Sequence, residues 1–532
     1  MYSENSEVIL DKNLKDIYFR EGERRVIALQ TQGGRICFTE PTNEVFEVRQ
    51  YIAQNESLLG GKYFGKNLPT ERISKLEMEK YFGNLDGNKS KDISDDDGEM
   101  SRRLKQLLFK GANDGCSDIH IEVYESRTVF YQRVDGDRYE INDVPDHDLG
   151  IRFASYIFFH KAIEKEEDFF EKRINNGKLE EFIQVDGVDR NTQWRVSWMP
   201  SNEGGKLALR WLNKQVHIGT LRELGWPEDY ARVIDEFIQY GTGGCIIAGK
   251  MGSGKSTSLA AMMESIDPSF SRHSFEDPPE FRLKGVVQTQ VRPNAKVSDE
   301  SDEYQDQAYF ANGTFRQDTD VELYGETRTK EGASQVARKS ETGQIIFTSI
   351  HTSSAWGIPG TLIDHLHVSP SLVASSDFLK VLVYQALVKK LCGCSLPFDK
   401  WRGHKRVTEE EVRHAEFTLN ALIEEGKLDN SVFESIRFKN PDGCNECKKS
   451  GEKGRLPLLE VIVVDDDDRE YWFNKDFIGW KKHLFEKGYK DISFHGAQRV
   501  INGEVDLFTT EKRIGRFVKI QTQKVYEAMK HD

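Results

Sequence analysis

The sequence predicts an α/β chain: a mostly parallel sheet covered by helices, preceded by a smaller α+β module. Three observations carry this. From about Leu221 onward, helical patterns alternate with short apolar runs at Cys245–Ala248, His273–Phe275, Val321–Tyr324 and Ile345–Ile350, the rhythm of strands joined by crossover helices. The first run leads straight into GKMGSGKST, where Gly249, Gly254, Lys255 and Ser256 stand at P-loop spacing between a strand and a helix. Ahead of Gly219 a two-residue alternation dominates instead, as in SDIHIEVYESRTVFYQRVDG.

Taken in chain order, residues 1–82 read as a small module without a chemical signature. The stretch Gly83–Glu99 is polar and rich in Gly, Asp and Ser; it cannot bury a core, so an interdomain linker is expected there. The α+β module spans 100–219. It opens with a helix that carries Met100, Leu104, Leu107 and Leu108 on one face. Strands follow around Ile119–Val123 and Val129–Tyr131, and Asp135-Gly136 is a hairpin signal. A helix-rich stretch over Ile151–Lys172 precedes strands at Phe182–Val188, Gln193–Trp198 and Leu207–Trp211. The parallel-sheet core is expected over 220–391, a cysteine-containing subdomain over 392–464 and a helical segment over 465–532. Within the subdomain, Ser395–Pro441 reads as mainly helical, with Thr408-x-x-Glu411 as a capping box. The acidic run Asp465–Asp468 reads as a solvated face or a linker.

Composition narrows the class. The chain has 532 residues, 37% of them hydrophobic and 30% charged, which suits a globular protein of about three to four domains. No run of about 18 apolar residues is present, so no membrane-spanning helix is expected. Met1–Glu7 has neither the basic start nor the apolar stretch of a secretory signal, and a cytoplasmic chain is expected. Seven cysteines in so long a chain point to a reducing compartment rather than to a disulfide framework. A net charge of −14 argues against a uniformly basic surface, and no nucleic-acid partner is expected.

The phosphate-binding loop carries the sharpest chemistry. Its glycines let backbone N–H groups turn inward toward phosphate oxygens, and the helix that starts near Lys255 adds its positive dipole end. Gly249, Met251, Gly252, Ser253, Gly254, Lys255, Ser256 and Thr257 are the expected ATP-binding residues. Lys255 is expected on the β- and γ-phosphates and the Ser256 hydroxyl on magnesium. Such a site needs carboxylates to hold magnesium and to orient water. Glu276 closes HSFED, which Pro278-Pro279 stops, and Glu326 follows VELYG. Either alone would serve equally as a solvated strand end; behind a P-loop in one sheet, both become candidates. His351, at the end of IIFTSIHT, is a candidate sensor of the γ-phosphate.

Four cysteines form a second constellation. Cys392-x-Cys394 and Cys444-x-x-Cys447 offer four soft ligands, the set that tetrahedral zinc takes in a structural site. The alternative is four free buried thiols. Cys37, Cys116 and Cys245 stand alone and read as core residues.

At this point the motifs resemble a known family. SDIHIEVYESR, SFEDPPEF, LYGETR and TGQIIFTSIHTSSA resemble, in order and spacing, segments of the secretion ATPases that drive type II secretion and type IV pilus assembly. The last three are similar to that family's Asp box, Walker B strand and His box. The likeness runs over roughly Leu104–Val464 and is nearest to type IVb pilus ATPases, such as that of bundle-forming pili. It implies a RecA-like P-loop core, a PAS-like α+β domain, an N-terminal docking module and a zinc knuckle. It also implies that Glu276 polarises the attacking water, that Glu326 sits near magnesium, that His351 is the retained His-box residue, and that Arg195 and Arg210 of RVSWMPSNEGGKLALR reach the nucleotide. Arg316 and Arg328 stand where the family keeps arginines. The sequence departs from the family pattern at Gln344 (a histidine there), Thr319 (a proline), Thr329 (an aspartate) and Glu322, which interrupts an apolar strand. A ring homohexamer is implied, peripheral to the inner membrane, with a polytopic platform protein and other cytoplasmic assembly proteins as partners. Assembly of a pilus or secretion of protein is the expected role. A retraction motor, or a nucleotide-binding scaffold without turnover, stays open as the alternative.

Overall fold

The computed structural model describes residues 27–30, 35–39, 44–54, 65–66, 68–73, 95–163, 165, 169–212, 218–298, 301–424 and 432–518. These fall in two compact units that divide between Leu107 and Leu108. In the first, β1 (Ile27–Gln30) pairs antiparallel with β2 (Arg35–Phe38), and β3 (Thr70–Arg72) runs parallel to β2. The helix Glu44–Gln54 buries Val48 and Ile52. The rest of the expected docking module, and residues 83–94 of the expected linker, lie outside the described residues. Residues 95–99, expected as linker, are already helical: the helix runs Asp95–Asn113, and Glu99 pairs with Arg103 one turn on at 2.5 Å.

The second unit contains two seven-stranded sheets. The first is antiparallel. Its strands are β4 (Asp118–Tyr124), β5 (Arg127–Val134), β6 (Asp137–Val144), β7 (Ala162–Ile163), β8 (Asn175–Val185), β9 (Val188–Pro200) and β10 (Gly205–Trp211), in the order β6-β5-β4-β10-β9-β8-β7. The expected hairpin at Asp135-Gly136 is present, with both residues at positive φ (49° and 92°), as a two-residue turn of matching twist requires. Asp186-Gly187 makes a second one (51° and 80°). The strand expected over Phe182–Val188 is therefore broken: the chain reverses at 186–187, and β9 begins at Val188. In the helix-rich stretch, helix His147–Tyr156 passes into a π-turn at Ile157–Lys161 and then into β7.

The second sheet holds β11 (Gly243–Ala248), β12 (Arg272–Glu276), β13 (Val287–Gln290), β16 (Val321–Tyr324), β17 (Ile345–Ile350), β18 (Leu379–Leu391) and β21 (Glu452–Val463). Two ribbons, β14 (Arg292–Lys296) with β15 (Tyr304–Gln305) and β19 (Leu396–Pro397) with β20 (Arg437–Phe438), complete the strands. The order β13-β12-β16-β17-β11-β18-β21 is parallel except for β21, which pairs antiparallel with β18. Both faces are covered, so side chains alternate between two cores. Cys245 and Ile247 of β11 join Leu259, Met262 and Phe347 on one side; Ile246 and Ala248 join Val336, Trp472 and Trp480 on the other. β18 and β21 were not anticipated: their apolar runs carry no periodicity that separates a buried strand from a buried helix. The expected capping box holds, since Thr408 and Glu411 exchange hydrogen bonds at the start of helix Glu409–Glu424. The acidic run at 465–468 is exposed at Asp465, Asp466 and Asp467, as a solvated face would be, but it starts a helix rather than a linker and its last residue turns inward. Asp465 caps helix Asp466–Phe473, and Asp468 is fully buried, accepting from Trp480 Nε1 at 2.8 Å.

Three of the four departures noted above meet in one buried network. Glu322 and Lys339 are both fully buried and pair at 3.1 Å. Thr319 Oγ1 and Tyr324 OH donate to the Glu322 carboxylate at 2.7 and 2.5 Å, and Lys339 Nζ also reaches Thr314 Oγ1 at 3.0 Å. Gln344 Nε2 donates to Thr319 O at 2.6 Å. A charge on a central strand is tolerable here only because every part of it is matched. Lys339→Met, which strands the carboxylate, is expected to cost about 3–5 kcal/mol in denaturant unfolding. Adding Glu322→Gln is expected to recover much of that loss, because the buried charge is gone, the amide oxygen accepts from one of the two hydroxyls and the amide N–H can donate to the other.

Candidate active site and thiol cluster

The loop 249–254 joins β11 to helix Lys255–Ser265 at the carboxyl edge of the parallel sheet, where open α/β sheets place their ligands. Two of its glycines are forced. A Cβ on Gly249 would lie 2.4 Å from Gln385 O, and Gly254 caps the helix at φ 85° with Gln385 Nε2 2.8 Å from where a Cβ would be. Lys255 Nζ donates to Gly249 O at 2.9 Å and to Lys250 O at 3.3 Å. Burial holds the Lys255 ammonium below its ordinary range, against the pull of Glu326 and Glu280. Ser256 is exposed at the helix start and Thr257 half-buried, while Ser253 is buried with no hydrogen-bond partner for its Oγ.

The carboxylates stand at neighbouring strand ends. β12 and β16 pair in parallel with Phe275 opposite Tyr324, and Gly325 N donates to Phe275 O at 2.9 Å. Gly325 leaves room for Glu276, whose Cγ would lie 3.3 Å from a Cβ there. Burial pushes the Glu276 carboxyl above its ordinary range, opposed by hydrogen bonds from Ser274 Oγ (2.8 Å) and Gln288 Nε2 (3.1 Å). For Glu326, burial would raise the carboxyl, but the hydrogen bond and charge of Arg328, with His351 and Lys255, hold it below its ordinary range. Arg328 Nη2 donates to Glu326 Oε2 at 2.8 Å. His351 Nε2 lies 2.9 Å from Glu326 Oε1, and its Nδ1 lies 2.9 Å from Gly249 O. Both ring nitrogens thus face acceptors, one a backbone carbonyl and the other a carboxylate.

The two arginines are directly opposed across β9 and β10, Arg195 against Arg210. Arg210 Nε donates to Asp118 Oδ1 at 2.9 Å, and its Nη2 reaches Met251 Sδ of the phosphate loop at 3.8 Å. Arg195 is exposed beside it. Two like charges in register repel, and an anion between them relieves the repulsion. Arg316 is exposed and joins none of these contacts. The structure thus brings Lys255, Glu276, Glu326, His351 and Arg210 to one edge, with Arg195 on the strand beside Arg210.

Two glutamines escaped the sequence reading. Gln385 of β18, buried, donates to Ser253 O at 2.8 Å and accepts from Ser258 Oγ at 2.8 Å, so it grips both the phosphate loop and the helix behind it. Gln288 of β13 holds Glu276 while also donating to Phe281 O at 2.9 Å. An amide in an apolar or mixed strand has no spacing signature to betray such a role.

All four cysteines of the second constellation converge, with ligand atoms within 4.8 Å of one another. Three Sγ···Sγ distances are 3.6 Å (Cys392–Cys444), 3.9 Å (Cys394–Cys447) and 3.7 Å (Cys444–Cys447). Thiolates about 2.3 Å from a tetrahedral zinc ion lie about 3.8 Å apart, so the donor set fits. Cys447 Sγ accepts from the amides of Cys444 and Gly451, both at 3.1 Å. Burial alone would raise this thiol, but those amides bring it down to about 6.

Residues 93–517 match the family described as Type II/IV secretion system protein. The chain is 33% identical to the Type II secretion system protein E of Pseudomonas aeruginosa, over 72% of this chain and 68% of that one. It is 34% identical to the Type II secretion system protein E of Pectobacterium carotovorum, over 71% and 68%. Among solved structures, the Legionella pneumophila ATPase DotB superposes with a TM-score of 0.52 at 15% identity, covering 77% of this chain and 94% of that one. That last likeness is one of fold.

Purified chain is expected to carry about one thiophilic metal ion, measured by elemental analysis. Cys444→Ser/Cys447→Ser is expected to lose it and to melt at lower temperature.

Proposed function

The chain belongs to the family of type II/IV secretion system proteins, and we propose that it is an ATP-hydrolysing motor for type IV pilus assembly or type II secretion. The observation that carries this is the meeting of Lys255 and His351 at the Gly249 carbonyl, with Glu326 joined through His351 and Arg210 reaching the same loop from the other sheet.

The chemistry follows from positions. The loop amides and the helix start cradle the phosphates, and Lys255 meets the β- and γ-phosphates. The Ser256 hydroxyl, with Glu326 close by, would hold magnesium, which would supply positive charge against the phosphates. Glu276, ionised, accepts a proton from a water molecule as its oxygen attacks the γ-phosphorus. The bond to the β–γ bridging oxygen breaks, leaving ADP and inorganic phosphate. Arg210 and Arg195 offset charge on the transferring group, as guanidiniums do in phosphoryl transfer. Loss of the γ-phosphate weakens their hold, so the antiparallel domain reopens, a rigid-body step.

The wider reading extends this. Six copies form a ring at the cytoplasmic face of the inner membrane; among the described residues no helix is long and apolar enough to cross a membrane. Residues 1–82 dock the ring, through a linker that ends before the helix Asp95–Asn113, onto a platform protein and other assembly proteins. Residues 220–391 form the motor core with β21 added, zinc in the four-thiol site would tie the 392–464 subdomain at its base, and the helices between Asp466 and Ile514 complete the core.

Magnesium-dependent phosphate release, followed over a range of protein concentrations, tests the motor. Turnover per chain is expected to rise with concentration, and Lys255→Ala to lower it about 10²–10³-fold. ATP binding without phosphate release at any concentration, membranes included, refutes the motor and leaves a scaffold. The acid limb of kcat/KM is expected above the ordinary glutamate range, because Glu276 must be ionised and burial raises it. Turnover is then lost as pH falls through that raised value. Gln288→Leu removes a donor from the charged form and is expected to move the limb further up.

A further inference from the structure

The antiparallel domain touches the rest of its own chain at a place the chemistry above does not use. Asp114, Asp135 and Asp137 cluster where the helix Asp95–Asn113 ends and the β5–β6 hairpin turns. Opposite them stand cations and an amide of the thiol knuckle and the strands on either side of it. Lys448, one residue past Cys447, pairs with Asp114 at 2.8 Å. Gly454 N, at the start of β21, donates to Asp135 Oδ2 at 3.0 Å. Lys389, near the end of β18, pairs with Asp137. Arg455 adds a cation within electrostatic range of Asp135 and Asp118. Burial opposes charge on Asp114, but hydrogen bonds from Lys110, Lys448 and Gln132 outweigh it and bring its carboxyl down to about 2.

Asp118 is the residue that holds Arg210. β4 therefore links the acidic cluster to the guanidinium that reaches the phosphate loop. We propose that Asp114, Asp135 and Asp137, closed on Lys448, Gly454 and Lys389, are an ionic latch that positions Arg210 over the P-loop of the same chain. The latch suits a domain that must reopen. Its lysine pairs include exposed partners: the Lys448 side chain is 70% exposed and that of Asp137 57%. Such contacts are individually weak, act together, and are screened by salt. When only part of the population is closed, apparent affinity falls by that fraction, so the latch acts on KM more than on kcat.

This rests on the reading of Arg210 as a phosphate-facing group, and the test separates the two. Full-length chain is compared with Lys389→Asp, Asp137→Lys and the double swap, reading KM and kcat for ATP at low and high potassium chloride. Amide exchange at Gly454 is read alongside. Each single reversal is expected to raise KM roughly fivefold at low salt, with kcat little changed and Gly454 exchanging faster. The swap is expected to restore both. Wild-type KM is expected to rise with salt. Lys448→Glu, on an exposed side chain, repeats the test if a reversal does not fold. Single reversals with unaltered KM and Gly454 protection overturn the latch, as does a swap no better than its parents. If Arg210→Ala turns over like wild type, the phosphate-facing reading falls, and Gly454 exchange in the reversals still decides whether the latch exists.

Discussion

The Gly249 carbonyl oxygen receives two donors, Lys255 Nζ and His351 Nδ1, each at 2.9 Å. One comes from the helix that follows the loop and the other from the end of β17, which pairs with β11 along its whole length. His351 then hands the connection on to Glu326, at the end of β16. Three parallel strands are thereby tied at their carboxyl ends around one backbone atom. The position of each charged group at the site is set by strand register rather than by loop conformation. Shift β17 by one residue and His351 points to the other face.

That dependence explains what was legible in the sequence. Residues that act where a strand ends leave a local mark: an apolar run, then a charged or glycine-rich stop. The candidates Lys255, Glu276, Glu326 and His351 all carry this mark and lie at one edge of the sheet, and the thiol cluster is legible by its paired spacing. Residues that act from inside a strand leave none. Gln385 sits in the middle of LVYQALV and Gln288 on a short edge strand, yet one holds the loop and the other the carboxylate. Glu322 looked like an interruption because its partner Lys339 lies on a helix seventeen residues on, and only folding brings the two together. Asp468 was misread for the same reason, its justification being an indole twelve residues on.

The core also shows how an antiparallel addition extends a parallel sheet. β21 returns from the thiol knuckle along β18 and carries Glu460, whose carboxylate accepts from Ala355 N at 2.7 Å and Ile492 N at 3.1 Å. The loop just past His351 is thus anchored to a strand that lies beyond the cysteines. The helices after β21 divide between two cores: Trp472 and Trp480 pack under the main sheet, while Val500 and Leu507 pack with Trp401 and Leu419. The cysteine subdomain and the last helices are therefore parts of the motor core's own packing.

The strand order has a consequence for how the chain is made. β11, buried along its whole length, lies between β17 and β18. On the ribosome it emerges about a hundred residues before the first of these neighbours, and the second is complete only at Leu391. At about 5–20 residues per second, β11 and the phosphate loop wait on the order of 10 s without the strands that will flank them. The segment that handles nucleotide is synthesised early and shielded late, so the nascent chain exposes an apolar strand for most of the core's translation. A chaperone that holds such a run during elongation would act on this region first.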